Sequence, residues 1–318
     1  MNEMNNRING LVETLLEDYQ GGRTIDEIRL SGQPDKKVVV DILEKLRRLI
    51  FPGYFKNEGY NTFTTRNSTT MLLEDVIYNL SRQIALVLPC REEFERVGCD
   101  AVSAEAERLT FVFLEKIPKI REFIETDLQA AYDGDPAAYS KDEIVFSYPG
   151  LYAILTSRIA HELFLLGVPL IPRMMTEHAH SRTGIDIHPG VTLGKYFFID
   201  HGTGIVIGET TEIGNNVKVY QGVTLGALST RGGQTLRNKK RHPTIMDNVT
   251  IYSGASILGG ETVVGENAVI GGNAFITSSV PAGARVSIKT QELLYSFGSS
   301  KSTGKKDFEN PDNWFYVI

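Results

Sequence analysis

From Gly184 onward the chain repeats itself every six residues, a period that neither an α-helix nor an alternating strand possesses. Aliphatic residues fall at Ile187, Leu193 and Ile199. After a slip of two the frame runs Ile207, Ile213, Val219 and Leu225. A polar excursion intervenes, the frame resumes at Ile245, Ile251 and Ile257, slips by one, and continues at Val264, Ile270 and Ile276. Four residues after most of these stands a second small or β-branched residue: Val191, Thr203, Val217, Val223, Val249, Ala255, Ala268 and Ala274. Glycine crowds into the same stretch, with 18 of the 30 lying between Gly184 and Gly283. Short repeats of this kind specify a parallel β-helix. Each hexapeptide supplies one strand of a triangular coil, aliphatic residues stack inward, and Gly or Asn takes the tight corners. A generic all-β domain with scattered Gly would not hold a dozen positions in one frame.

The region before Gly184 has a different grammar. Val76, Ile77, Leu80, Ile84 and Val87 keep one helical face, as do Leu109, Val112, Phe113 and Ile117, with Pro118 marking a break. Leu151, Leu155, Ile159 and Phe164 predict a further helix running up to Gly167. The expected class is α+β: a helical domain over 1–182, a β-helix over 183–285 and an extended tail over 286–318.

Composition narrows the function. The net charge of −6 leaves no basic footprint for nucleic acid or an anionic membrane. Two cysteines, Cys90 and Cys99, make neither a disulfide framework nor a structural zinc site and read most simply as buried thiols. The first residues lack a signal-peptide core, and the longest apolar stretch, Leu163 to Ile171, is too short to span a bilayer. A cytoplasmic protein is expected.

The hexapeptide pattern resembles the left-handed β-helix acyltransferase superfamily. The left hand is implied by that resemblance alone, since the crossover rule for parallel strands predicts the other. Acyl transfer from a thioester to an alcohol needs a base for the hydroxyl proton, donors for the oxyanion, and alignment of both substrates. His201 lies in Ile199-Asp200-His201-Gly202-Thr203-Gly204, where the frame slips. Asp186 precedes it by fifteen residues, so a coil of about eighteen residues places the carboxylate one coil below, near the same corner. Spacing alone leaves two readings open, an Asp-oriented general base and a structural corner histidine. The loop from Ala227 to Lys240, carrying Arg231, Arg237, Lys239 and Lys240, is either a contact for phosphates or a carboxylate or a solvated polar loop.

Four segments in order narrow the resemblance. They are Thr183-Gly184-Ile185-Asp186-Ile187-His188-Pro189-Gly190, Ile199 through Thr210, Gln221-Gly222-Val223-Thr224-Leu225-Gly226 and Arg241-His242-Pro243. Together they resemble the serine O-acetyltransferases, and Asp133-Gly134-Asp135-Pro136-Ala137 upstream fits as well. The resemblance implies transfer of acetyl from acetyl-CoA to the hydroxyl of L-serine, with His201 as general base and Asp186 orienting it. It further implies that Asp135 and Asp200 hold the substrate ammonium, that Arg241 holds its carboxylate, and that His242 sits beside hydroxyl and carboxylate. Acetyl-CoA would lie along Gly226, Ala227, Ser253 and Gly272, in a groove between two β-helices, and no metal is expected. Ala227 stands where the family usually has a second Gly.

The same resemblance implies a homotrimer or hexamer, feedback inhibition by L-cysteine, and docking of the terminal Ile318 into O-acetylserine sulfhydrylase. From the residues alone, the closing Asn313-Trp314-Phe315-Tyr316-Val317-Ile318 either folds back or binds a partner. Three other functions compete with it: a β-helix acetyltransferase for another hydroxyl, a β-helix metalloenzyme of the gamma carbonic anhydrase type, and a non-catalytic scaffold acting through the tail. Asp135, Asp200 and Arg241 suit a zwitterion rather than a sugar, and His188, His201 and His242 lack the spacing of a three-histidine zinc site.

Overall fold

The computed structural model describes residues 2–26, 33–55 and 65–288. Among these residues are eight α-helices followed by fourteen short strands. The helices are α1 (Asn2–Asp18), α2 (Lys36–Ile50), α3 (Thr65–Val87), α4 (Cys99–Leu114), α5 (Ile117–Gly134), α6 (Lys141–Ser147), α7 (Pro149–Leu165) and α8 (Ile171–Thr183). Their boundaries follow local chemistry. Asp35 caps α2 by accepting the Lys37 amide at 2.7 Å, and Ser140 caps α6 from Glu143. Pro118 falls in the first turn of α5, where a missing N–H costs nothing. The predicted face of α3 is buried at Val76, Leu80, Ile84 and Val87. On α7 the prediction needs one change: Phe164 is exposed, and Leu163, one turn after Ile159, fills the core instead. Cys90 and Cys99 are both exposed, because each sits at a helix terminus facing solvent rather than on an apolar face.

Strands then cycle through three sides. The first coil is β1 (Asp186–Ile187), β2 (Thr192–Leu193) and β3 (Phe198–Asp200). The second is β4 (Val206–Ile207), β5 (Glu212–Ile213) and β6 (Lys218–Tyr220), and the third β7 (Thr224–Gly226), β8 (Thr244–Ile245) and β9 (Thr250–Ile251). Then come β10 (Ser256–Leu258), β11 (Val263–Val264) and β12 (Val269–Ile270), with β13 (Phe275–Ile276) and β14 (Arg285–Val286) in the last turn. All pairings are parallel and join equivalent strands of successive coils. Sheet A runs β1-β4-β7-β10-β13, sheet B β2-β5-β8-β11, and sheet C β3-β6-β9-β12-β14. The molecule is thus a helical region followed by a parallel β-solenoid, α+β as expected.

Every residue of the six-residue frame lies on one of these strands, and all but Ile276 are fully buried. Of the second set, Thr203 is exposed, because the frame slip lifts it out and Ile205 points inward in its place. The edge between sheets B and C is turned by Asn216, Asn248 and Asn267, all left-handed with φ of 55° to 60°. Asn216 Nδ2 donates to Asn248 Oδ1 at 2.9 Å, so the corner residues stack as a ladder.

A buried ion pair ties helices to coil. Arg158 on α7 makes a two-pronged contact with Asp127 on α5, at 2.7 and 2.9 Å, and donates onward to the carbonyls of Leu193 and Gly194 in the first coil. The Phe197 amide donates to Asp127 Oδ1 at 2.9 Å. Breaking such a pair from one side costs about 3–5 kcal/mol, since it leaves an uncompensated buried charge. No helix among the described residues is long and apolar enough to cross a membrane. The tail from 289 onward, with Ile318, lies outside the described residues.

Candidate active site

Two edges of the solenoid carry the candidate residues, and sheet A lies between them. The first edge joins sheet C to sheet A. The first coil advances 20 residues, from Asp186 to Val206, whereas the second advances 18, from Val206 to Thr224. The two extra residues fall where the frame slips. His201 there has φ 57° and Gly202 φ 88°. A side chain at Gly202 would be strained by that φ and would strike Ile185 and Ile199. The corner therefore bulges, and the imidazole of His201 stands half-exposed beside the well-covered carboxylate of Asp200. His201 Nε2 is 3.7 Å from Asp200 Oδ1, and Lys218 Nζ is 3.7 Å from Oδ2.

The helices complete this edge. Asp135 ends α5, and its carboxylate accepts the Ala137 amide at 2.8 Å and the Tyr148 hydroxyl at 2.5 Å. The Tyr148 hydroxyl is the main reason the Asp135 carboxyl is held below its ordinary range, with the positive charge of Lys218 adding to it. The same bond drives the Tyr148 phenol well above its own. Lys218 donates to the Gly134 carbonyl at 2.7 Å, pinning the end of α5 to the coil, and packs over the rings of Phe198 and Tyr220. Asp135, Asp200 and His201 are thereby brought to one corner.

Asp186 opens β1, one coil below, but the bulge shifts the register assumed from a uniform coil. Asp186 is level with Val206. Its carboxylate accepts from Arg173 Nη1 on α8 at 3.1 Å; Arg173 also pairs with Glu177, and Glu177 with His180. The ligand atoms of Glu177, His180 and Asp186 lie within 4.8 Å of one another, the single such grouping among the described residues, and the Arg173 guanidinium bonds to both carboxylates.

The second edge joins sheet A to sheet B. His242 is buried, its ring filling the space a side chain on Gly208 would need. Its Nδ1 accepts the Thr210 amide at 3.1 Å, so the ring proton resides on Nε2. Burial, then the charge of Arg241, pulls its pKa down to about 4. Thr210 Oγ1 accepts the amides of Arg241 and His242 at 2.9 and 3.1 Å, fixing the Arg-His pair as the long loop rejoins the coil. The Arg241 guanidinium is paired with Glu209. Burial of Glu209 works against its ionisation, but Arg241 and the neighbouring histidines outweigh it and hold the carboxyl below its usual range. Lys240 turns back to the coil at the Thr210 carbonyl, 2.6 Å, and Glu212, 3.3 Å, while Arg231, Arg237 and Lys239 are exposed.

The four predicted coenzyme positions divide between the edges. Gly226 and Ala227 lie on the second edge, where the loop departs. Ser253 and Gly272 stack on the first, above His201, with the Asn273 amide donating to the Ser253 carbonyl at 2.8 Å.

This chain is similar to known proteins over most of its length. The plasmid-borne serine acetyltransferase of Synechococcus elongatus is 43% identical over 260 residues, spanning 80% of this chain and 81% of the relative. The chain belongs to the serine acetyltransferase family. The serine acetyltransferase of Bacillus subtilis is 48% identical over 128 residues, spanning 40% of the chain and 56% of that relative. Among solved structures, serine acetyltransferase 1 of Entamoeba histolytica, crystallised with L-cysteine, aligns at 36% identity with a TM-score of 0.68, covering 80% of this chain and 87% of that one. That of Neisseria gonorrhoeae, crystallised with serine, aligns at 27% identity and TM-score 0.51, covering 78% and 95%. No protein-family model matches the chain.

Beyond the Asp, His and Arg residues that the sequence points to, Tyr148, Lys218, Arg173, Glu209 and Thr210 shape the two edges. Lys218 had a signal: it is the outward residue of a strand level with the predicted Asp200-His201 corner. Tyr148 had none beyond preceding Pro149 at a helix start, because its partner Asp135 is 13 residues away, on the far side of α6.

Proposed function

We propose that the chain transfers the acetyl group of acetyl-CoA to the hydroxyl of L-serine by direct attack, with His201 taking the hydroxyl proton. In this reading a helical domain, 1–182, and a coil, 183–285, contribute to one site in a cytoplasmic enzyme. The observation that carries it is the first edge, where two carboxylates on rigid supports, Asp135 and Asp200, flank an exposed imidazole on a bulged corner. Serine presents an ammonium for the carboxylates and a hydroxyl for the imidazole. Its carboxylate needs a cation, and Arg241 with the Nε2–H of His242 offers a guanidinium fork and a neutral donor.

Those groups lie across sheet A from His201, so the site closes when the second edge of one copy meets the first edge of another. The same apposition joins Gly226 and Ala227 of one copy to Ser253 and Gly272 of the next, forming a groove for acetyl-CoA, with the Ala227 amide as oxyanion donor. Asp186, anchored by Arg173, orients His201 from below. A trimer or a pair of trimers satisfies this geometry. L-cysteine, which shares the zwitterion of serine, competes for the same groups. Ile318 docks into O-acetylserine sulfhydrylase.

The test is thiol release from acetyl-CoA with L-serine, other hydroxy amino acids and sugars as acceptors. L-serine is expected to be preferred by at least 10²-fold in kcat/KM over acceptors lacking either the ammonium or the carboxylate. Equal rates with a sugar hydroxyl would sink the assignment.

A further inference from the structure

Four hydroxyls on the helices are buried: Thr110, Thr156, Ser157 and Thr176. Three donate to a carbonyl one turn back, at Ala106, Tyr152 and Arg173, over 2.8, 2.9 and 3.3 Å. That is the usual resort of a helical hydroxyl cut off from water. Ser157 is the exception: its side chain is 1% exposed, and its Oγ has no hydrogen-bond partner. An unpaired buried hydroxyl costs about 1–3 kcal/mol. Ser157 lines a cavity of about 170 Å³ between α5, α7 and the first coil.

The other walls are chemically sorted. Ile120, Phe123, Val191 and Leu193 give an apolar body, while Lys119 and Glu162 bring one charge of each sign. His161 lines the same space: its Nδ1–H donates to the Pro189 carbonyl at 2.9 Å, which leaves Nε2 for a ligand. Arg158 also lines the cavity, but its guanidinium is consumed by Asp127 and two carbonyls. A cavity of about 150 Å³ holds a molecule the size of benzene.

We propose that this cavity is an effector site for a small α-amino acid with a branched apolar side chain. The carboxylate meets Lys119 and the Ser157 hydroxyl, which turns about χ1 from its sealed position to reach it; the ammonium meets Glu162 and His161 Nε2, and the side chain lies against Ile120, Phe123, Val191 and Leu193. The site is separate from both solenoid edges, and it adjoins the Asp127–Arg158 pair that fastens the helices to the coil. A bound ligand therefore stabilises that junction.

The experiment is thermal unfolding and calorimetric titration of the full chain with L-leucine, L-valine, isovalerate and isopentylamine. L-leucine should raise the unfolding midpoint saturably, by roughly 2–4 °C. Isovalerate should bind at least tenfold more weakly than L-valine, and isopentylamine at least tenfold more weakly than L-leucine, since each is that amino acid without one charged group. Ser157→Ala should weaken leucine about tenfold with the fold intact, and Lys119→Gln should weaken leucine and isovalerate while sparing isopentylamine. Ser157→Leu should abolish binding by filling the space. If none of the four compounds binds, that result overturns the site. So does leucine affinity unchanged in both Ser157→Ala and Lys119→Gln, isovalerate binding as tightly as L-valine, or leucine displaced by L-serine, which would place it in the candidate active site.

Discussion

The two edges flanking sheet A are built from the same repeat, yet they present opposite chemistry. The edge between sheets C and A gathers carboxylates around an exposed imidazole, with helices α5 and α7 supplying Asp135 and Tyr148. The edge between sheets A and B buries its imidazole, fixes it as a neutral donor and sets a guanidinium beside it. One edge is an acceptor of cations and protons and the other a donor to anions. A zwitterionic substrate needs both. A rigid solenoid cannot fold one edge onto the other, so a second copy is the natural means of joining them.

The largest effect belongs to the residue proposed as base. His201→Ala should lower turnover by about 10² to 10⁴ with acetyl-CoA binding retained, and near-wild-type turnover would end its assignment. Arg241→Gln, on the opposite edge, should lower kcat/KM for serine by roughly 10², chiefly through KM, because a carboxylate loses its charged partner. The two defects lie on different edges, so mixing the two defective chains, assayed at serine well below KM, is informative. Random co-assembly in equal amounts should restore about a quarter of wild-type activity if each site takes one edge from each of two copies. Mixtures no more active than either variant would mean that the edges do not work across copies.

The coil was legible because a solenoid is nearly one-dimensional: each residue packs on its equivalent in the next coil, so a sequence period is a structural period. Ile187, Ile207 and Leu225 needed no long-range information to be placed inside. The corner at His201 was visible as a slip in the frame, but its consequence was not. Two inserted residues lengthen the coil to 20, set Asp186 level with Val206, and push Thr203 outward. Contacts reaching the coil from the helices left no trace in the period. Lys218 meets the Gly134 carbonyl across 84 residues, and Arg158 meets the Gly194 carbonyl across 36. The division of the substrate groups between two edges was equally hidden, since linear order carries no record of which face a long loop returns to.

The second edge should also reveal itself in stability. His242 has a pKa near 4 in the folded chain against an ordinary 6.5, so the unfolded chain takes up its proton first as the pH falls. The stability that this residue contributes should therefore decline from pH 6.5 to about 4 and then level off, by up to about 3 kcal/mol in all. His178 and His188 are shifted in the same direction by burial and add to the decline. Urea midpoints measured across that window should show a shallower slope for His242→Asn than for the wild type. An unchanged slope would mean that the ring is as accessible to protons folded as unfolded.

The smallest effect tests the first edge. Tyr148→Phe removes the main bond that keeps the Asp135 carboxyl low, leaving the Ala137 amide and Lys218 to oppose burial. The folded carboxyl should then gain its proton at a higher pH than in the wild type. If Asp135 must be charged to hold the substrate ammonium, KM for serine should climb earlier as the pH is lowered, by a few-fold near pH 5, with kcat unchanged at neutral pH. Lys218 would still pin the Gly134 carbonyl, so the turn itself should stay in place. A parallel loss in kcat at every pH would make Tyr148 a support for the corner that carries His201, and the acid limb of the KM profile is the measurement that separates the two roles.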